Sequence, residues 1–138
     1  LVAVLAAAAA FVFSREDGAQ SEERAAIPLI DAAQAINQNM TTMATRLARA
    51  PADEAERQAQ AARLPDLRGE LQGISRAARR FDGEAAALLR DALGEQREVL
   101  DVYRATLNEP ASPPPSSLKR RLREIATALH DSRRAARR

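Results

Sequence analysis

With 138 residues the chain is long enough for one domain with its own core and too short for two of ordinary size. Its apolar residues are mostly alanine and only Phe11, Phe13, Phe81 and Tyr103 are aromatic, a mixture that suits closely packed helices and argues against a sheet. The absence of cysteine excludes disulfides, thiol nucleophiles and thiolate metal sites together, and leaves the compartment open.

The formal net charge of +2 hides an uneven distribution. Residues 119–138 carry eight basic groups (Lys119, Arg120, Arg121, Arg123, Arg133, Arg134, Arg137, Arg138) and two acids, a balance of +6, which leaves −4 on the rest of the chain. All the basic residues but Lys119 are arginines. No aromatic side chains are interleaved with them and no DNA-reading motif is present, so no nucleic-acid partner is expected.

From Leu1 to Phe13 the chain has no charged or polar side chain. A membrane span needs about 20 apolar residues, and a run of this length that opens on Leu is expected to be the C-terminal part of a truncated transmembrane helix. A signal peptide is the alternative, with Ala8-Ala9-Ala10 as its cleavage region. The apolar run continues through Phe11, Val12 and Phe13 with no basic leader in view, which favours the anchor. Residues 14–26 then form a juxtamembrane segment, in which Glu16, Asp17, Glu22 and Glu23 outweigh Arg15 and Arg24. Cytoplasmic flanks carry an excess of Lys and Arg instead. Residues 14–138 are therefore expected on the periplasmic or extracytoplasmic side of a bacterial inner membrane.

After Pro28, apolar residues recur in steps of four and three: Leu29, Ala33, Ile36, Met40, Met43, Leu47. Such spacing makes an a/d seam on one helix. Pro51 with Asp53, Glu54 and Glu56 reads as the start of a second helix, since acids in a first turn complement the helix dipole. Its seam is Leu64, Leu67, Leu71, Ile74, Ala78 and Phe81, and Pro65 within it predicts a kink near residues 61–64. Asp82-Gly83 turns the chain into a third seam, Ala86, Leu89, Leu93, Gln96, Leu100, Tyr103 and Leu107. The Pro-rich loop 108–117 cannot continue a helix, and Ser116 or Ser117 is available to cap the next one. The fourth seam is Leu118, Leu122, Ile125, Leu129, Ser132 and Ala136.

No stretch alternates with period two for long enough to make a strand. The predicted fold is all-α, an antiparallel up-down-up-down four-helix bundle over residues 27–138, about 35–45 Å long. An even number of helices returns the chain to its starting end, so a second crossing is expected beyond Arg138. The arginines of Ser132–Arg138 favour a cytoplasmic flank; either they meet lipid headgroups from outside or the last helix continues further.

A single histidine, no cysteine and no glycine-rich phosphate loop leave nothing from which to build a catalytic centre, and no metal or other cofactor is expected. The stretch Arg123-Glu-Ile-Ala-Thr-Ala-Leu-His-Asp-Ser132 resembles the phosphoacceptor helix of one class of bacterial histidine kinases. Ala128 replaces the acid usual before Leu-His in that class, and Ser132-Arg-Arg-Ala-Ala follows where the class is more apolar. His130 is accordingly expected to be an ordinary helix histidine that is not phosphorylated.

The first helix carries the more useful anomaly. Gln34, Asn37, Gln38, Thr41 and Thr45 form an uncharged polar stripe, whereas the other helices are dense with Arg, Glu and Asp. Uncharged polar side chains cost less to desolvate than ions, so this stripe is the candidate contact for a second copy of the chain, a partner protein or a small ligand; the alternative is a solvated face that happens to lack charge. The core layers at Ala33, Ala78, Ala86 and Gln96 bury less apolar area than leucine layers, which lowers the cost of repacking.

The order of features from residue 1 to about 107 resembles the helical periplasmic sensor domain of TorS-type bacterial sensor histidine kinases. The matching elements are the apolar start, Ala26-Ile-Pro-Leu-Ile-Asp-Ala-Ala-Gln-Ala-Ile36, Leu47-Ala-Arg-Ala-Pro51 and the acidic start Asp53-Glu-Ala-Glu-Arg57. The resemblance implies a dimeric input module of a two-component system that controls a cytoplasmic kinase, with a periplasmic binding protein or a small ligand as partner. Chemoreceptor ligand-binding bundles, and a membrane-tethered structural or adaptor coiled coil without ligand, are the alternatives.

Overall fold

A computed structural model describes residues 18–110 and 112–138, and only the backbone of residues 18–21. The apolar run 1–13 and the first part of segment 14–26 lie outside the described residues. Among the described residues no helix is long and apolar enough to cross a membrane.

Among the described residues five helices follow one another: α1 (Gly18–Ala25), α2 (Ile27–Arg49), α3 (Glu54–Ala78), α4 (Glu84–Asn108) and α5 (Ser116–Ala136). Their ends follow from local chemistry. Pro28 sits in the first turn of α2, where its missing N–H has no intrahelical partner to lose. Asp53 caps α3 by accepting from Glu56 N at 3.1 Å. Gly83, at φ 106°, makes the left-handed step into α4. The start of α5 corrects one expectation: neither serine caps it, and the cap position is Pro115, whose extended backbone leads directly into Ser116. α3 is one helix through Pro65.

α2 to α5 form the bundle, each packed against its neighbours in the cyclic order α2, α3, α4, α5 and back to α2, while α2 and α4 meet more slightly across the diagonal. This is the all-α four-helix bundle predicted from the seams. Every residue of the first, third and fourth seams is buried, as are Leu64, Leu67, Leu71, Ile74 and Ala78 of the second; Phe81 is partly buried at the α3–α4 turn. The segment before residue 27 is more than a connector. α1 lies against α2, α4 and α5, and Glu23 Oε1 accepts from Glu84 N at 3.1 Å, replacing the side-chain cap that Gly83 cannot supply.

Candidate functional site

Apolar layers fix which face of a helix is buried but leave its longitudinal position soft, and here polar side chains set it. Each bundle interface contains at least one buried hydrogen bond between helices. Gln60 Nε2 of α3 donates to the Met43 carbonyl of α2 at 3.0 Å, Asn37 Nδ2 of α2 to the Leu122 carbonyl of α5 at 3.0 Å, and Ser132 Oγ of α5 to the Ala85 carbonyl of α4 at 2.8 Å. Tyr103 Oη of α4 donates to Gln60 Oε1 of α3. Across the diagonal, Gln96 Nε2 of α4 donates to the Ala33 carbonyl of α2 at 2.8 Å. Most of these bonds end on a helix carbonyl, whose second lone pair stays free after the helix's own hydrogen bond is made. Burial, with the Glu56 charge adding to it and Arg57 opposing it, pushes the Tyr103 phenol well above its ordinary pKa.

Arg57 is the largest departure from the sequence reading. It is only 4% exposed and pairs with no acid among the described residues. Its guanidinium instead gathers carbonyls: Thr106 and Leu107 at 2.8 Å, Pro51 at 3.0 Å, Ser112 at 3.4 Å, and Glu109. One side chain thus satisfies the open carbonyl end of α4 and ties the α2–α3 turn to the Pro-rich loop. Arg57 and Gln60 extend the second seam backwards with its own spacing of three and four, so the signal was present in polar form.

The uncharged stripe divides. Asn37 is 5% exposed and turned into the α2–α5 interface, so it is not available on an open face for a second copy. Gln34 is partly buried and its Oε1 accepts from Arg133 Nη1 at 3.3 Å. Thr41 and Thr45 donate back to the carbonyls of Asn37 and Thr41, both at 2.9 Å. Asn37, Gln38 and Thr41 line an open groove of about 600 Å³ between α2 and α5, together with Thr42, Lys119, Leu122, Arg123 and Ala126.

The four core residues singled out from sequence, Ala33, Ala78, Ala86 and Gln96, are all buried. His130 is exposed on α5 and makes no side-chain hydrogen bond or ion pair among the described residues. Several α5 arginines are paired. Arg121 bridges Glu95 and Glu98 of α4 at 3.0 and 2.7 Å. Arg133 reaches Asp31 of α2 at 2.7 Å. No group of three or more potential metal ligands occurs among the described residues.

The geometry therefore defines a polar-pinned four-helix bundle with a groove along the seam between its first and last helices. The chain matches no protein-family model, no curated protein and no solved structure.

Proposed function

We propose that the chain is the extracytoplasmic input module of a bacterial two-component sensor histidine kinase, passing a ligand- or partner-induced helix shift across the membrane. The observation that supports this reading most is the juxtaposition of the first turns of α2 with the last turns of α5, where Arg133 bonds Asp31 and Gln34. A displacement of α5 along α2 is delivered at that end to two chain segments lying side by side.

The polar ties across this seam are few. One buried hydrogen bond, Asn37 to Leu122, one half-exposed ion pair, Arg133 to Asp31, and the longer Arg133–Gln34 bond together contribute on the order of 1–3 kcal/mol. A coupling energy of about 1–3 kcal/mol, typical of allosteric effectors, is enough to shift an equilibrium held by ties of that size. The alanine layers at Ala33, Ala78 and Ala86 allow the accompanying repacking.

The test is Ala33→Leu, Ala78→Leu and Ala86→Leu in the membrane-bound parent. Each overpacks its layer by about 1–3 kcal/mol and is expected to lock kinase output on or off in a folded, inserted protein. Unchanged output and unchanged response in all three would make the bundle a passive tether. An output that acts through a receptor signalling domain, with no kinase, would move it to the chemoreceptors.

A further inference from the structure

We infer that the α2–α5 groove binds a small organic anion, a carboxylate with a hydrogen-bond donor on a neighbouring group, held by Lys119 and Arg123 and recognised by Asn37 Oδ1. The inference rests on the sensor reading for its consequence and on the geometry of the groove for its chemistry.

The lining contains two cations and no acid. Lys119 and Arg123 stand one helical turn apart on the same face of α5, about 5–6 Å along its axis. Both are exposed, and neither pairs with an acid among the described residues, although their neighbours do: Arg120 approaches Glu124, Arg121 holds Glu95 and Glu98, and Arg133 holds Asp31. Thr42 and Gln38 present hydroxyl and amide groups from the opposite wall, while Leu122 and Ala126 supply the apolar surface. Two cations lining one groove without an ion-pair partner among the described residues attract an anion, and the planar fork of Arg123 suits a carboxylate.

Asn37 supplies the second, independent observation. Its amide orientation is fixed, because the Leu122 carbonyl can only accept and so must face Nδ2. Oδ1 is then left buried without a hydrogen-bond partner among the described residues, in a residue that lines the groove. A buried acceptor of this kind calls for a donor. Thr41 beside it has already committed its hydroxyl proton to the Asn37 carbonyl and offers only lone pairs. A ligand that satisfies these groups carries an N–H or O–H close to its carboxylate. Because Oδ1 is buried in this structure, a donor reaches it only as α2 and α5 separate slightly, which couples occupancy to the seam that the sensor reading sets in motion.

The test uses the full 138-residue chain in mild detergent, labelled for amide NMR, with N-acetylglycine as probe. Propionate lacks the donor, and sulfate lacks both donor and carboxylate. N-acetylglycine is expected to shift the amides of Thr41, Thr42, Arg123 and Ala126 saturably, with an affinity at least tenfold above propionate and sulfate. The exposed double substitution Lys119→Gln with Arg123→Gln should weaken it at least tenfold without changing helicity. Asn37→Leu should level N-acetylglycine with propionate; if that variant does not fold, the affinity ratio in the native chain decides the same point. Equal affinities for the three anions, no shift at these amides, or shifts that follow protein concentration because a second copy fills the groove would each overturn the proposal. Saturable binding without any effect of the same probe on the parent's output keeps the groove and sinks the sensor reading. No binding, combined with output locked by Ala33→Leu, does the reverse.

Discussion

Gln96 of α4 and Ala33 of α2 are partners: the glutamine amide reaches the alanine's backbone carbonyl at 2.8 Å across the bundle diagonal, with both residues at 0% exposure. A methyl at position 33 leaves that carbonyl accessible, so the small residue on one helix and the polar residue on the other form one device. Its other half is incomplete, because Gln96 Oε1 has no partner among the described residues.

Gln96→Met removes the unpaired acceptor, which costs about 1–3 kcal/mol, together with a bond whose net contribution is about 0.5–1.5 kcal/mol. The variant is expected to be as stable as the native chain or up to about 2 kcal/mol more stable in urea unfolding. Gln96→Ala, which leaves a cavity, should lose about 2–4 kcal/mol. A methionine variant clearly less stable than the native chain would show that the diagonal bond dominates.

Arg57 holds carbonyls from the end of α4, the α2–α3 turn and the Pro-rich loop. Arg57→Met retains the buried stem and leaves those carbonyls without a donor, at an expected loss of about 2–4 kcal/mol. Hydrogen exchange should accelerate first at residues 105–112 and in the 50–53 turn. Uniform acceleration throughout the bundle would contradict a local clamp.

Tyr103 is the chain's only tyrosine and Lys119 its only lysine, and cysteine is absent. The alkaline limb of stability therefore belongs mainly to one phenol. In the folded state Tyr103 keeps its proton to a pH above the unfolded value near 10. Its stabilising contribution is thus complete below about pH 10 and is lost above it, with a slope of about 1.4 kcal/mol per pH unit. Tyrosinate absorbance should appear only as the chain unfolds, and Tyr103→Phe should flatten the limb at some cost near neutral pH. Ordinary phenol titration in the folded chain would remove the Gln60–Tyr103 pin.

Gly83 and Glu23 act together. A Cβ at position 83 would lie 2.5 Å from Glu23 Oε1, and the φ of 106° is strained for any other residue. Gly83→Ala is expected to cost at least about 1–2 kcal/mol. Glu23→Ala removes only the carboxylate that caps α4, for about 0.5–2 kcal/mol. Glu23→Ala without effect on the melting temperature would mean that the carboxylate cap adds nothing to the bundle.

The sequence by itself determined four amphipathic helices, their turns and most of the core, although Ile30, Ala44, Ala85, Ala92 and Val99 are buried outside the seams. It could do so because the choice of buried face depends on local periodicity: residues from Leu29 to Ala136 spaced by three and four must share a side, and apolar surface drives that side inward. Pro51, Gly83 and the run Pro113–Pro115 mark boundaries through backbone restrictions that are equally local. Only the tertiary structure decided what the polar seam residues do. Period fixes rotation about a helix axis and leaves open the displacement along it and the identity of the neighbour. Asn37, one step round from Ile36, therefore looked like part of an open stripe and instead bonds α5. Arg57 and Gln60 carry seam spacing but are polar, and their burial depends on carbonyls and a phenol contributed by other helices. The groove, with Lys119 and Arg123 facing Asn37, exists only where the chain's first and last bundle helices meet.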